Sequence, residues 1–381
     1  MSSNVRIEKL ILNNYRNYSF IELEFKKNII LICGKNGSGK TNILESISIF
    51  NSNAGLKKSN LKELIKNNMK GPIELFGVNL LCQFNKSRLK VGLGLRKNDS
   101  NFKKLLSFEG SKSKVDIDKF LNIFWIVPKT TFLFQNAPED RRNFIDQMIL
   151  ATDRNFKKFL LLYEKYKKER MKILKSWNDS SSSWLDVVEQ KLASAGIIIC
   201  DARRNFIKQL NINLSEFNST FPSLFIELSG EIDSLLRNKP AILVEDYFIK
   251  KLKENRKKDL LTGKTNFSAN KTDIIVSDRL SGIDARNHST GEQKMIIFSI
   301  IFSFIKFLES KINLRIIFLL DDVFSFLDKN HVIFVLERLD KLNVQTLLTD
   351  IRNDWVSKHP KLSSIIQQIN IDDKSLKVDK I

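Results

Sequence analysis

The chain has 381 residues, 42% apolar and 28% charged, the balance of a globular protein with a large core and room for two domains or lobes. Lysine and arginine number 63 against 43 acids, and the formal charge of +20 favours a polyanionic partner, nucleic acid first. Three distant cysteines and three scattered histidines lack metal-ligand spacing, so they predict free buried thiols in a reducing compartment rather than a metal cluster or a histidine relay. The start, "MSSNVRIEKL", has no apolar h-region, and a cytoplasmic protein without a signal peptide is expected. "VRIEKLILNNYRNYSFIELEF" then reads as two strands with a turn near Asn13–Tyr18. "NIILIC" is a short apolar run that suits a buried central strand. It runs into "GKNGSGKT", and "NILESISIF" follows with helical spacing at Ile43, Leu44, Ile47 and Phe50. "RLKVGLGLR" alternates as a half-buried strand of an antiparallel sheet does.

The middle changes character. Phe156, Phe159, Leu160, Tyr163 and Tyr166 predict one helix. Leu185, Val188, Leu192, Ala195 and Ile199 predict a second, extended by Phe206 and Leu210. Joined through the Ser-rich "NDSSSS", they form a short antiparallel hairpin with arms of roughly 35–40 Å at 1.5 Å per residue. "KKLKENRKKDLLTGKT" is a basic segment ending in a loop. From Asp273 the chain turns strand-like again. "HSTGEQKMIIF" opens a long apolar helix, followed by the strand "RIIFLL", the helix "NHVIFVLERLD" and the strand "VQTLLT". The most apolar stretch, Met295 to Leu308, is interrupted by Lys306 and is too short to span a bilayer. The order predicts an α/β core split by an inserted, mainly helical second lobe. Its expected boundaries are residues 1–130 for the N-terminal part with the P-loop, 131–276 for the insertion, and 277–381 for the C-terminal part.

Gly34-x-x-x-x-Gly39-Lys40-Thr41 has the spacing of a P-loop, between an apolar strand and an amphipathic helix. Its glycines let backbone N–H groups of the Gly34, Lys35, Asn36, Gly37, Ser38 and Gly39 stretch surround phosphates. The start of the helix, with Asn42, adds its positive end. Lys40 would reach the β- and γ-phosphates of ATP and the Thr41 hydroxyl would ligate magnesium. In "IIFLLDDVFSFLD" a buried strand ends in two acids. Asp321 suits magnesium, and Asp322 suits polarising the attacking water. Asp328 is a further nucleotide-side candidate, although its local role is to cap the next helix. Ser289 and Glu292 form a capping box. In ATPases of the ABC type a Ser-Gly-Gly-Gln-like turn from a second subunit closes the site, and Ser289-Thr290-Gly291-Glu292 fits that turn. Ser289 and Gly291 would then face the nucleotide of a second copy.

Together these pieces give a specific resemblance. "LNNYRNY" with "LEF", "GKNGSGKTNILESI", "PEDRRNFID", "WLDVVEQKLASAGIIICDARR", "DARNHSTGEQK" and "LLDDVFSFLD" fall in order, and the chain resembles the RecF family of bacterial recombination-mediator ATPases. The resemblance implies an ABC/SMC-type P-loop ATPase head with a mainly helical second lobe and no long coiled coil, and ATP-dependent homodimerisation on gapped DNA or single-/double-strand junctions, without sequence preference. It implies weak ATP hydrolysis coupled to release of dimer and DNA. It further implies recombinase loading at single-strand gaps with RecO and RecR, in recombinational repair and replication-gap or fork maintenance. Arg16 in "NYRNY" matches a position expected near the nucleotide. Thr290 departs from the usual Gly or Gln, Phe326 replaces a usual Glu, and "NKTDII" is an altered form of a usual "HRTDL". Gln135 is the nearest candidate for a Q-loop glutamine. The competing readings are an SMC/Rad-type structural head, another ABC-type ATPase acting on DNA, and a membrane-transport ATPase. The long span from Thr41 to Ser289 holds too little helix for a long arm. Transport ATPases set signature and P-loop closer together.

Overall fold

The computed structural model describes residues 5–50, 55–57, 59–65, 76–84, 87–98, 101–108, 121–176, 182–214, 222–310, 316–324, 327, 329–350, 356, 359–372 and 378–380. The chain divides into two compact units, Met1–Thr131 with Leu308–Ile381, and Phe132–Phe307.

The first unit holds two sheets. Strands β1 (Val5–Tyr15), β2 (Tyr18–Glu24), β4 (Gly77–Phe84), β5 (Ser87–Asn98), β6 (Asn101–Phe108) and β13 (Val378–Lys380) form a six-stranded antiparallel sheet in the order β13-β2-β1-β4-β5-β6. Strands β3 (Ile29–Cys33), β7 (Asn122–Ile126), β10 (Ile316–Asp321), β11 (Gln345–Asp350) and β12 (Ile366–Asn370) form a parallel sheet in the order β12-β3-β11-β10-β7. Every residue of β3, β10 and β11 is buried, as in parallel strands covered on both faces; β3 and β10 are apolar up to Asp321, while β11 carries Gln345, Thr346, Thr349 and Asp350 inside. Helix α1 (Lys40–Ser48) buries Ile43, Leu44 and Ile47 in a core shared with Leu10, Leu12 and Ile21 of the antiparallel sheet and Ile30, Ile32, Ile317 and Leu347 of the parallel one. Helices α9 (Lys329–Lys341) and α10 (Pro360–Ile365) complete the unit.

The second unit is mainly helical. It contains α2 (Pro138–Thr152), α3 (Arg154–Lys175), α4 (Ser182–Leu214), α5 (Glu231–Asn238), α6 (Ala241–Glu254), α7 (Arg256–Thr262) and most of α8 (Thr290–Ser310). A two-stranded sheet, β8 (Leu224–Ser229) with β9 (Asp273–Asp278), completes it. Helices α3 and α4 pair as the expected hairpin, with 22 and 33 residues. Buried guanidinium groups tie it together. Arg170, fully buried, donates to Glu189 at 2.9 Å, Asp259 at 2.6 Å and the Leu252 carbonyl at 2.7 Å. Arg203 makes a bidentate pair with Asp146 at 2.7 Å, and Arg141 one with Asp273 at 2.7 and 2.9 Å.

The boundary expected at residue 276 is corrected here: the second unit runs on to Phe307. Two contacts explain the shift. β9 pairs with β8 along its whole length, and α8 is tied to α4 by the Ser303 hydroxyl on the Leu210 carbonyl at 2.8 Å and by Phe206 against Phe304. "HSTGEQK" therefore belongs to the helical unit. A change from helix to strand at Asp273 resembles a domain border in sequence, but pairing with a strand some fifty residues earlier is invisible there.

Candidate nucleotide-binding site

The P-loop leaves β3 at Cys33 and enters α1 at Lys40. Register sets what surrounds it. Cys33 lies beside Asp350 of β11, and Thr349 beside Asp321 of β10, so the loop and the acids share one carboxyl edge of the parallel sheet. That edge is where parallel α/β sheets take ligands. Gly34, Gly37 and Gly39 have φ of +156°, +78° and +104°, and Gly39 sits where a Cβ would lie 2.5 Å from the Asn17 and Tyr18 side chains. Only glycine meets both demands there. No side chain caps the start of α1, so its first N–H groups remain for a ligand.

A cavity of about 290 Å³ opens over this edge, lined by Asn36, Gly37, Gly39, Lys40, Thr41, Asn42, Lys57, Asp321, Asp322, Thr349 and Asp350. The Asp321 carboxylate accepts from the Thr41 hydroxyl and from the Thr349 hydroxyl, each at 2.9 Å through Oδ1. The Thr349 oxygen in turn accepts from the Asp322 N–H at 3.0 Å. Asp322 has φ +48°, a left-handed conformation that costs a non-glycine residue about 1–3 kcal/mol and that neighbouring structure must enforce. Lys40 Nζ donates to the Gly34 and Lys35 carbonyls at 2.7 and 2.9 Å, both neutral acceptors. A hydroxyl, a carboxylate and an N–H-lined loop form the oxygen-rich, anion-accepting set that a magnesium–nucleoside triphosphate needs.

Arg16, expected near the nucleotide, is held against α1. Its guanidinium grips Glu45 of α1 at 2.9 and 2.7 Å and reaches the Ser59 hydroxyl, and it is not among the cavity-lining residues. Glu45 is 1% exposed, so this pair anchors α1 to the β1–β2 turn. Asp328 and Phe326 lie outside the described residues. Gln135, in the second unit, sits in an exposed turn.

Sequence reasoning missed Asn17, Lys57, Asp350 and Asp372. Asn17 donates to the Ser38 carbonyl at 3.2 Å and accepts from Asn42 at 2.8 Å. Lys57 donates to Asn42 at 2.8 Å and lines the cavity. Asp372, just after β12, accepts from the Lys35 N–H at 2.6 Å. Asn17 falls inside the "LNNYRNY" stretch of the resemblance, where only Arg16 was singled out; Lys57 stands among the "GLKK" cations shortly after α1, and Asp350 and Asp372 stand in no spaced motif.

In the second unit the signature stretch forms the predicted capping box. Ser289 donates to Glu292 Oε2 through its N–H and its hydroxyl, both at 2.8 Å, and the Glu292 N–H points back to the Ser289 hydroxyl at 3.4 Å. These Ser289 bonds hold the Glu292 carboxyl below its ordinary value. Gln293, 1% exposed, donates to the His288 carbonyl at 2.8 Å and fixes the turn, while Ser289 and Thr290 remain exposed.

The family model of the RecF/RecN/SMC N-terminal domain matches residues 6–371. The DNA replication and repair protein RecF of Rickettsia prowazekii (strain Madrid E) is 30% identical over 370 residues, covering 96% of this chain and 99% of that protein. Its counterpart from Rickettsia typhi is 29% identical over 365 residues, with the same coverage. Among solved structures, the recombination mediator protein RecF-ATPrS of the RecFOR pathway superposes with a TM-score of 0.81 at 23% identity, covering 100% of this chain and 99% of that one. An SMC head bound to the C-terminal winged-helix domain of ScpA superposes with a TM-score of 0.54 at 17% identity, covering 98% and 97%. With a P-loop head, an inserted helical unit and relatives matched end to end, the chain belongs to the RecF family, within the RecF/RecN/SMC group.

Proposed function

We propose that this chain is an ATP-dependent DNA-binding protein of recombinational repair and replication-gap maintenance. Each copy binds ATP at its P-loop, with Lys40 leaving the Gly34 and Lys35 carbonyls for the phosphates. Thr41 and Asp321 would hold magnesium, which neutralises phosphate charge when bound. Ser289 and Gly291 of one copy close the nucleotide of a second, so that ATP makes a homodimer on DNA. Weak hydrolysis, with Asp322 orienting water, releases dimer and DNA. The charge of +20 suits sequence-independent contact with phosphates at gaps or strand junctions. RecO and RecR are the expected partners, by likeness to the RecFOR-pathway protein.

The observation that carries this reading is the alignment of Cys33, Asp350, Thr349 and Asp321 across three adjacent parallel strands, which brings a glycine cradle and an acid–hydroxyl pair to one edge. The test is the size of the full chain in solution without nucleotide, with ATP, and with a hydrolysis-resistant analogue, each with and without gapped duplex DNA. A dimer that forms with nucleotide and persists longest with the analogue on DNA is expected. A monomer under every condition overturns the dimer, and absent nucleotide affinity overturns the whole reading.

A further inference from the structure

We propose that a groove of the second unit, between α4 and the outer edge of β8, binds single-stranded nucleic acid. The proposal rests on the DNA reading above and names a surface for it. The groove has a volume of about 730 Å³, inside the ~300–1,000 Å³ range of ordinary ligand clefts. Arg204 and Lys208 line it from α4, four residues apart and so on one helix face; Arg237 and Arg279 line it from beyond β8.

Two acids, Glu227 and Asp233, also line the groove, so four cations leave it net basic. Lys208 is exposed and has no ion-pair partner among the described residues. Arg279 donates to the backbone carbonyls of Leu224 at 2.7 Å and Asn211 at 3.1 Å, which are neutral acceptors. Arg204 and Arg237 have carboxylates only at 3.5 Å, on exposed Asp201 and on Glu227. Between them Phe225 is 41% exposed, with the Arg279 guanidinium 5.5 Å from its ring centre. Cations spaced along a groove with an accessible aromatic face are what a single strand uses, phosphates on the cations and a base on the ring. Asp233, 1% exposed, also lies at the groove, but its carboxyl is shut away from the surface and held by the Thr272 hydroxyl, so it makes no contact with a bound strand.

An acidic peptide is the rival occupant, and the strand edge argues against it. A peptide beside an exposed strand ordinarily docks by adding to the sheet. Here the outer edge of β8 is filled by side chains. Arg279 occupies the Leu224 carbonyl, the Asn211 amide pairs with both the N–H and the carbonyl of Ile226 at 2.9 and 2.8 Å, and Arg237 occupies the Leu228 carbonyl at 2.7 Å. The outward carbonyls of Leu224, Ile226 and Leu228 and the Ile226 N–H are therefore already taken, which leaves an added strand little to pair with. Nucleic acid needs no such pairing.

The test uses the full chain and a fluorescent, unstructured single strand of about twenty nucleotides, a blunt duplex, and polyglutamate. The variants are Arg204→Glu with Lys208→Glu, which leaves the β8 edge plugs intact, and Phe225→Ala. Affinity for the single strand is expected to fall at least tenfold in the double variant and about tenfold in Phe225→Ala. In the double variant the log–log salt slope becomes shallower by about 1.4, two contacts at ~0.7 each. ATP affinity, thermal unfolding and duplex affinity stay at wild-type values. Single-strand binding equal to wild type in both variants overturns the proposal, as does loss of polyglutamate binding with single-strand binding kept. A wild-type chain that binds no form of DNA overturns the broader DNA reading along with it.

Discussion

Replacing Arg16 with alanine would leave Glu45 as a buried acid stripped of its main partner. Glu45 is 1% exposed; it accepts two bonds from Arg16 at 2.9 and 2.7 Å and one from Ser59 at 2.8 Å, with Lys57 Nζ 4.0 Å away. Stranding a fully buried carboxylate costs about 3–5 kcal/mol. Two features reduce that here. The Arg16 side chain is 19% exposed, so part of the pair is screened, and Lys57 is near enough to move in. The expected loss is about 2 kcal/mol in urea unfolding. Lys57 would then leave Asn42 and the cavity, and ATP affinity should fall a few-fold as a secondary effect. Removing the acid as well, in Arg16→Ala with Glu45→Gln, should recover about 1 kcal/mol of the summed single losses, because no charge is left buried. If Arg16→Ala unfolds within 0.5 kcal/mol of wild type yet loses ATP binding, Arg16 is a nucleotide contact and the structural account fails.

Three substitutions test the candidate site itself. Lys40→Ala should abolish tight ATP binding and with it the nucleotide-dependent dimer; undiminished affinity by calorimetry would remove the P-loop assignment. Asp322→Asn should bind ATP but turn it over more slowly, and because asparagine tolerates the left-handed backbone at φ +48°, the loss would report charge rather than strain. Wild-type turnover would show that Asp322 does not orient water. Ser289→Arg should leave a folded monomer that binds ATP, since losing a cap costs only about 1 kcal/mol, yet fail to dimerise; normal dimers on a sizing column would leave the turn with capping alone.

How much of this was legible depended on whether the signal was local. The P-loop, the strand ending in Asp321-Asp322 and the capping box are each defined within a dozen residues, and their local geometry follows from spacing. The hairpin followed from apolar periodicity. What was not legible depends on pairing across distance. Asp372 reaches Lys35 because β12 lies parallel to β3, and the helical unit keeps "HSTGEQK" because β9 pairs with β8 and α8 packs on α4. The resemblance stretches outside the nucleotide site acquire a physical meaning only in three dimensions. "PEDRR" and "NKTDII" meet as the Arg141–Asp273 pair, "FID" and "CDARR" as Asp146–Arg203. In "LASAG", a Cβ on Gly196 would lie 2.6 Å from the Phe248 ring. Spacing reveals that such stretches recur; it does not reveal that they hold one another.

The capping box would also set a cost on the proposed dimer. Both donors of Ser289 already point at Glu292 Oε2, and those bonds keep the carboxyl ionised further into acid than usual. A serine that turns to a second copy's γ-phosphate must release this carboxylate. The acid would then stand close to a triphosphate of the same sign, which costs on the order of 1 kcal/mol per site at solvent-exposed dielectric. Glutamine satisfies the same capping geometry without the charge. Glu292→Gln is therefore expected to leave the monomer's stability within about 0.5 kcal/mol and to tighten the ATP-dependent dimer, with two sites relieved at once, by roughly thirtyfold. Sedimentation equilibrium with ATP at two salt concentrations reads this directly, because a charge effect shrinks as salt rises. An unchanged or weaker dimer would mean that Glu292 does not face the partner's nucleotide. The turn would then end its own helix and nothing more.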